Sequence, residues 1–600
     1  MSKKIKNVMS GADIKNNAHR SAFDLSHKKS FTAKVGELLP IHVEDVAPGE
    51  YHRIATSLFT RTQPCQTAAF CRFKEHVDWF FVPYHLLWRY YNNFIVQTNA
   101  NEWAISPNAQ LNGGQDPLFS HHPYFTATSW EAALNKIKTI STKKNNPLGY
   151  DRGELSKKLL EYLGYGDLSL IHDHQVSDIA RNIFPLLAYH KVYNDYYRNQ
   201  QWEIPSPNTY NVDYVSDASK LKIDFATSTN DYPSIFDLRY VDYEKDYYTG
   251  ALPSKQYGDT ALAKPIVGSF LNFHSNDGYV DNTSEIRAAN AEINHEKVLS
   301  GTNVTLSSED VGILGDLGLD YLGIRKAEAL QKFREIQQSG RTDYKSQVRK
   351  HFNVNVADEL SHLSTWIGGT TRAFGLDEVV NTNVGEGNQA AVIRGKGVNL
   401  TDDYIDFKVP EHGILICLYH CSLLPDYRAN HNVDKLTLKT QAGDYIVPEL
   451  DSIGMQPLYA AEADITFGFT NSSNPNYPNT IPIIGYVPRY AEYKTRPDVV
   501  CGAFNSTLQN WVTPRSPLNV RVDGRPLTEL DHINKDGSIV DRQNALQIAA
   551  TATRLKINPN ILDNIFGVAA DSSVNTDQLL INCNFAHHAV RPLSVNGLPY

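Results

Sequence analysis

Apolar and polar positions alternate most clearly at two places far apart in the chain. Between Ala69 and Trp88, Phe73, Val77, Trp79 and Phe81 alternate with Arg72, Lys74, His76 and Asp78, and only Glu75 interrupts the pattern. A period of two predicts a strand with one buried face. Between Val409 and Tyr427, the apolar run Ile414 to Tyr419 follows a Pro-Glu-His-Gly turn, which predicts a strand covered on both faces. Phe31 to Val46 and Tyr51 to Phe59 predict two further strands around the turn Ala47-Pro48-Gly49-Glu50, with Thr60 to Pro64 as the next break. Strand-like pattern resumes after Gly368-Gly369, at Ala390–Ile393, Ile405–Val409, Leu436–Leu438, Ile465–Phe469, Ile481–Tyr493 and Gln578–His588. The best strands lie near the two ends, so the expected architecture is a β-framework with a very large insertion.

The insertion, 83–369, changes period. Gly153 to Leu163 places Leu155, Leu159 and Leu163 on one helical face. Val176 to Trp202 sets Ile179, Ile183, Leu187, His190, Tyr193 and Tyr197 along one stripe, with a bend expected at Pro185. Leu319 to Gln338 and Tyr344 to Phe352 predict two more helices. Pro205 to Asp316, rich in Asn, Asp, Ser, Thr, Tyr and Gly, is too long for an ordinary loop and reads as a subdomain or a surface excursion. No repeat of about 20 to 50 residues appears, which disfavours solenoids and propellers.

Composition narrows the function more than the fold. The 600 residues carry 57 basic and 66 acidic side chains, a net charge of -9, so binding to nucleic acid must be local. The local candidate is residues 1–30, a basic arm holding Lys3, Lys4, Lys6, Lys15, Arg20, Lys28 and Lys29 against Asp13 and Asp24. Such arms touch phosphates without reading bases, and Lys3, Lys4, Lys6, Lys15 and Arg20 are the expected DNA contacts. The 33 tyrosines suit either an aromatic core or contact between polypeptides. Tyr84, Trp88, Tyr193, Tyr197, Trp202, Pro592 and Tyr600 are candidate contacts between subunits, with the chain's own core as the competing use. Six scattered cysteines, Cys65, Cys71, Cys417, Cys421, Cys501 and Cys583, read as reduced thiols made in a cytosol. The N-terminal stretch has no apolar signal region and no apolar run reaches about 18 residues, so neither export nor membrane insertion is expected.

Several short stretches, in this order, resemble the major capsid proteins of small icosahedral single-stranded DNA phages, the Microviridae, and within them the gokushovirus-like branch. They are Phe23 to His27, Phe59 to Pro64, Asp78 to Trp88, Asn194 to Gln200, Tyr247 to Pro253, His351 to Val354, Tyr419 to Cys421, Arg489 to Lys494 and Arg591 to Pro599. The resemblance spans nearly the whole chain. It implies a mainly β fold, an eight-stranded antiparallel viral jelly roll with long, partly helical insertions between strands. On that reading 1–30 is the arm, 31–82 the first strands, 83–369 the insertion and 370–600 the remaining strands, loops and C-terminal tail. Residues 261–310 match no family stretch and are the candidate surface protrusion; Asn471 to Asn479 are likewise unmatched. The resemblance further implies self-assembly into a T=1 icosahedral virion shell around a circular single-stranded DNA genome, in the bacterial host cytoplasm. Its implied partners are other copies of the chain, the genome, a small basic DNA-packing protein, scaffolding or pilot proteins, and a host surface receptor.

Chemistry of other kinds finds weak support. Cys417, His420 and Cys421 invite a metal, with His587-His588 to complete it, yet on a strand Cys417 and Cys421 share a face that His420 does not. His172-Asp173-His174 reads as a loop lacking further ligands. Gly385 to Ala390 matches a dinucleotide pattern without the strand and helix it needs. Asn282-Thr283-Ser284 and Asn303-Val304-Thr305 read as turns. No cofactor, metal or catalytic residue is expected. The alternative function is a carbohydrate-binding or hydrolytic β-sandwich protein with the insertion as a lid.

Overall fold

The structure is a computed structural model. It describes residues 19–63, 69–96, 122–133, 152–168, 179–215, 234–255, 321–380, 393–399, 404–428, 442–459, 462, 483–515, 521–526, 555–566 and 577–595, apart from 132, 134–151 and the single or paired positions 167, 376, 397, 452, 513, 523–524 and 560. The chain divides into two compact units, residues 1–255 with 356–600, and residues 256–355.

The first unit is built on two antiparallel sheets. Ten strands form them: β1 (Ser21–Asp24), β2 (His27–Ala33), β3 (Leu39–Val46), β4 (Tyr51–Thr62), β5 (Arg72–Pro83), β6 (Thr365–Gly375), β7 (Val398–Asn399), β8 (Tyr404–Lys408), β9 (Gly413–Leu423) and β10 (Leu579–Arg591). In sheet I, β1 and β2 lie end to end along β10, β10 pairs β4, and β7 and β8 lie end to end along β4. In sheet II the order is β3, β9, β5, β6. Successive strands pair with partners from the other end of the chain: β2 with β10, β3 with β9, β4 with β8, β5 with β6. The path is one long hairpin rolled on itself.

The expected strand Phe31 to Val46 is two strands in different sheets. Lys34 to Leu38 forms the step between them, where Gly36 takes φ +80° and its N–H donates to Cys421 O at 2.8 Å. Apolar content through the step hid the break, because Val35, Leu38 and Leu39 are all buried. The expected strand after Tyr51 runs on through the supposed break to Thr62, and the sheet extends through Gly368 and Gly369 because β6 contains them. The basic arm of 1–30 is likewise shorter than expected, since Ser21 to Ser30 already belongs to β1 and β2.

Between the sheets, inward side chains interlock. Trp79 packs on Phe585 and its indole N–H donates to Thr56 Oγ1 at 3.1 Å; Phe31 meets Tyr419, and Phe81 meets Phe407. Buried Glu75 accepts from the hydroxyls of Thr60 in the opposite sheet, 2.6 Å, and Tyr419 on the neighbouring strand, 2.8 Å, so its carboxyl group is hydrogen-bonded in the interior. Every residue of β9 is buried, as its unbroken apolar run predicts. Its second face is covered by the insertion.

Helices α1 (Arg152–Tyr162) and α2 (Phe184–Val192) come from the insertion. The single helix expected over Val176 to Trp202 starts only at Phe184. Pro185 lies in its first turn, where a missing N–H costs nothing, and so does not bend it. The stripe then widens into a π-helical turn, Tyr193–Tyr197. That turn sets Tyr196 against Phe80 and lets Tyr197 donate to Asp78 Oδ2 at 3.0 Å. Lys158 on α1 pairs with Glu37 at 2.7 Å and Asp577 at 2.9 Å, tying the insertion to segments from the two ends of the chain. The five cysteines among the described residues are free, and Cys417 and Cys421 are buried. His420, on the other face of β9, stacks on His76 with ring centres 4.4 Å apart.

In the second unit, α3 (Tyr321–Gln338) and α4 (Tyr344–Phe352) appear where helical period predicts them. Asp343 caps α4 by accepting from Ser346 N–H, and Asn353 ends it in the left-handed conformation.

Candidate assembly and nucleic-acid surfaces

Sheet I turns one face to the sandwich and the other to solvent. Odd-numbered residues of β4 and even-numbered residues of β8 share the outer face because side chains alternate along a strand. Tyr51 and Arg53 thus lie beside Tyr404, Asp406 and Lys408, all exposed, with Lys28 and His588 on the neighbouring strands, while exposed Arg61 lies farther along β4, opposite Val398 of β7. The guanidinium of Arg53 lies 5.0 Å from the ring centre of Tyr404, and that of Arg61 lies 4.9 Å from Phe59. Arg53 is also 3.7 Å from Asp406. The Tyr404 ring is exposed and the Phe59 ring half-buried, so the face sets cations beside aromatic surface, a combination suited to unpaired bases and their phosphates.

The basic residues expected to meet DNA separate. Lys3, Lys4, Lys6 and Lys15 lie outside the described residues. Arg20 is exposed, with its guanidinium at the Gly49 turn. Lys29, counted in the arm, points inward instead and donates to Tyr162 O at 2.9 Å; burial lowers its pKa. The signal for the outer face was present in the sequence at Tyr51, Arg53 and Tyr404, but their adjacency requires the pairing of β4 with β8.

Most of the aromatic residues expected between subunits are consumed by the chain's own core, the competing use. Tyr84 is buried against Tyr91 and Phe184 and donates to Asp45 Oδ1 at 2.6 Å; burial and the Asp45 charge push its pKa well up. Trp88 is buried beside Phe94 and Phe184. Tyr193 donates to Glu203 Oε2 at 2.8 Å, beneath Arg239 and Lys556. Trp202 donates to Ala251 O at 2.8 Å. Tyr197 is half-buried over Asp78. These five have little or no surface left for a neighbour, because the insertion uses its aromatic side to cover sheet II. Pro592 is half-buried, and Tyr600 lies outside the described residues.

Apolar surface is left open elsewhere. On α3, Tyr321, Leu322, Ile324, Leu330 and Phe333 are exposed, and Tyr344 and Phe352 are exposed on α4. An 18-residue helix whose one buried residue among its described side chains is Gln338 has not buried its apolar face within its own unit. Trp366, Leu593 and Val595 add exposed apolar side chains on the first unit. Helical period located α3 and α4, but exposure follows from packing and was not legible. No helix among the described residues is long and apolar enough to cross a membrane.

The stretches Tyr247 to Pro253 and Arg489 to Lys494 form a second small core. Tyr247 donates to Glu462 Oε2 at 2.8 Å, and its neighbours Tyr248, Tyr427 and Ala491 pack with it. The tight Asp246 turn requires Gly250, where a Cβ would fall 2.7 Å from Asp246 O.

A two-sheet sandwich carrying a folded insertion, with apolar helices and a basic aromatic face left open, is the build of a structural protein that works by association. The chain belongs to the family described as Capsid protein (F protein), which it matches over residues 12–113 and 164–599, and its role is that of a phage capsid protein of the Microviridae type. It is 22% identical over 561 residues to the Capsid protein VP1 of Chlamydia phage 1, covering 82% of this chain and 86% of that one. It is 23% identical over 526 residues to the Capsid protein VP1 of Bdellovibrio phage phiMH2K, covering 82% and 83%. With the Capsid protein VP1 of Spiroplasma virus 4 it shares 21% over 583 residues, 90% and 92% of the two chains. Family membership displaces the carbohydrate-binding or hydrolytic alternative.

Proposed function

We propose that this capsid protein is the repeating subunit of a T=1 icosahedral shell around a circular single-stranded DNA genome, assembled in the host cytoplasm without catalytic activity of its own. The reading rests on the strand pairing. A single antiparallel hairpin rolled into two sheets of four ladder positions each is the arrangement of an eight-stranded viral jelly roll, counting β1 with β2 and β7 with β8 as one position apiece. Subunits associate by burying apolar surface, about 800 Å² from each partner in an interface of ordinary size, and α3, α4, Trp366 and the tail from Pro592 onward are the surfaces offered. The genome is held by phosphate neutralisation from Lys3, Lys4, Lys6, Lys15 and Arg20, joined by the outer face of sheet I. Residues 261–310, which lie outside the described residues, are the proposed surface protrusion, and the remaining proposed partners are a DNA-packing protein, scaffolding or pilot proteins and a host receptor.

Particle mass measured on the chain expressed alone and with its phage lysate tests this. Closed shells of uniform diameter containing nuclease-protected single-stranded DNA are expected in the lysate. A stable monomer or small oligomer under both conditions overturns the proposal.

A further inference from the structure

At one end of the sandwich, polar groups face each other where apolar side chains would be expected. His42 and Glu44 lie two residues apart on β3 and point to the interior; His587 points to them from β10 in the opposite sheet. His52 and Glu50 flank them, and Arg591 closes the group. Neither His52 nor His587 has solvent-accessible side-chain surface.

The hydrogen bonds fix which ring nitrogens carry protons. Glu50 Oε2 can only accept, so His52 Nε2–H donates to it at 3.1 Å, leaving His52 Nδ1 with a lone pair. His587 Nε2 lies 2.9 Å from that lone pair and must be the donor. The proton on His587 is thereby placed on Nε2, and its Nδ1 has a bare lone pair. That buried Nδ1 makes no hydrogen bond, and the nearest acidic oxygen is Glu44 Oε2 at 3.7 Å. On the other side, Leu25 O accepts from His27 Nδ1–H at 3.0 Å, and His27 Nε2 lies 3.4 Å from His42 Nδ1. His42 Nε2 lies 3.4 Å from Glu44 Oε2. Arg591 Nη2 holds the other oxygen of Glu44, which presents Oε2 to the two rings.

His42 Nε2, Glu44 Oε2 and His587 Nδ1 therefore converge from two strands of opposite sheets. We infer that His42 Nε2, Glu44 Oε2 and His587 Nδ1 form a binding site for a divalent transition metal of the zinc class, which staples the two sheets together. A tetrahedral zinc ion with ligands at about 2.0–2.1 Å sets its ligand atoms about 3.3 Å apart. Two of the three edges are already 3.4 and 3.7 Å, and all three atoms lie within 4.8 Å of one another. The outward nitrogens of both rings are hydrogen-bonded, to His52 and His27, as orienting partners of metal-bound imidazoles are. Imidazole with a single carboxylate selects zinc over magnesium or calcium, which prefer all-oxygen shells. Water takes the fourth position.

The test uses the full-length purified chain, incubated with zinc or with magnesium, exchanged into metal-free buffer and assayed for metal content and thermal unfolding. The expected result is about one zinc per chain, a rise of several degrees in Tm with zinc only, and loss of both in His42→Asn and Glu44→Gln. His52→Gln, which touches no metal, should weaken zinc binding about 10–100-fold. Visible absorption of the cobalt-loaded wild-type chain reads the coordination without any substitution, so a variant that fails to fold does not stall the test. Zinc content well below stoichiometric with no Tm change overturns the site, as does equal zinc uptake by wild type and both ligand variants. A visible spectrum typical of six-coordinate cobalt would also overturn it.

Discussion

Gly36 carries more structural demand than any neighbouring residue. It stands where the chain leaves sheet I for sheet II, at φ +80°, and a Cβ there would fall 2.6 Å from Cβ of Ile557. Its N–H and C=O are both engaged, with Cys421 O and Val241 N. Gly36→Ala combines a left-handed conformation with overpacking against a fully buried side chain, and should cost about 2–4 kcal/mol in urea unfolding. A loss below about 1 kcal/mol would mean that Ile557 swings aside. The sequence contains Val-Gly-Glu at this point and nothing in it separates a turn from a strand interior, which is why 31–46 reads as one strand. Glu75 is the contrasting case. It is the one position that breaks the alternation of β5, and the structure shows the break to be chemical and not geometric: the side chain keeps its inward place because Thr60 and Tyr419 solvate it.

Among elements, α1 is attached to the sandwich through charge. Lys158 answers Glu37, which is 1% exposed, and Asp577. Burial raises the pKa of Glu37 above the usual range for a glutamate, and Asp577 raises it further while Lys158 opposes the shift. A carboxyl group whose folded pKa is raised favours the folded state below its unfolded pKa, and that contribution is lost as pH rises through the folded value. Without the ammonium, the penalty at neutral pH grows. Lys158→Met should therefore lose about 2–4 kcal/mol near pH 7.5, with the deficit shrinking towards pH 5 as Glu37 takes up a proton. Urea unfolding at the two pH values decides; a deficit that is constant or larger at pH 5 contradicts the assignment. The helix itself was legible from Leu155, Leu159 and Leu163, but its ionic partners lie before β3 and before β10, distant in sequence. The π-turn at Tyr193–Tyr197 was not legible, since one extra residue per turn leaves the apolar stripe nearly intact while rotating Tyr196 and Tyr197 onto sheet II.

At the scale of the whole molecule, net charge says little about the genome and the distribution of charge says more. Arg53 and Arg61 sit on rings of an otherwise exposed sheet face, whereas Lys29 has been drawn inside. Arg53→Gln with Arg61→Gln should leave shell yield unchanged and lower nuclease-protected DNA per particle, with a shallower salt dependence than the wild type shows. Lys3, Lys4 and Lys6 replaced by Gln form the parallel arm of the experiment. Unchanged DNA content in both sets, at matched particle yield, would remove phosphate contact from both regions.

Periodicity alone determined that this chain has strands at both ends and helices between them, and it located α3, α4, β5 and β9 closely, because alternation and 3.6-residue stripes are local consequences of burial on one face. Short motifs distributed in order determined the capsid family. What only the tertiary structure decided is which strands are neighbours and which aromatic residues are spent inside. Tyr84, Trp88, Tyr193 and Trp202 have the composition of an interface and the position of a core, a difference set by what the insertion folds onto. The same holds for His42, Glu44 and His587. A histidine two residues before a glutamate on a strand is unremarkable in sequence, and becomes the inferred metal site only when β10 brings a third ligand atom from the opposite sheet, across most of the chain's length.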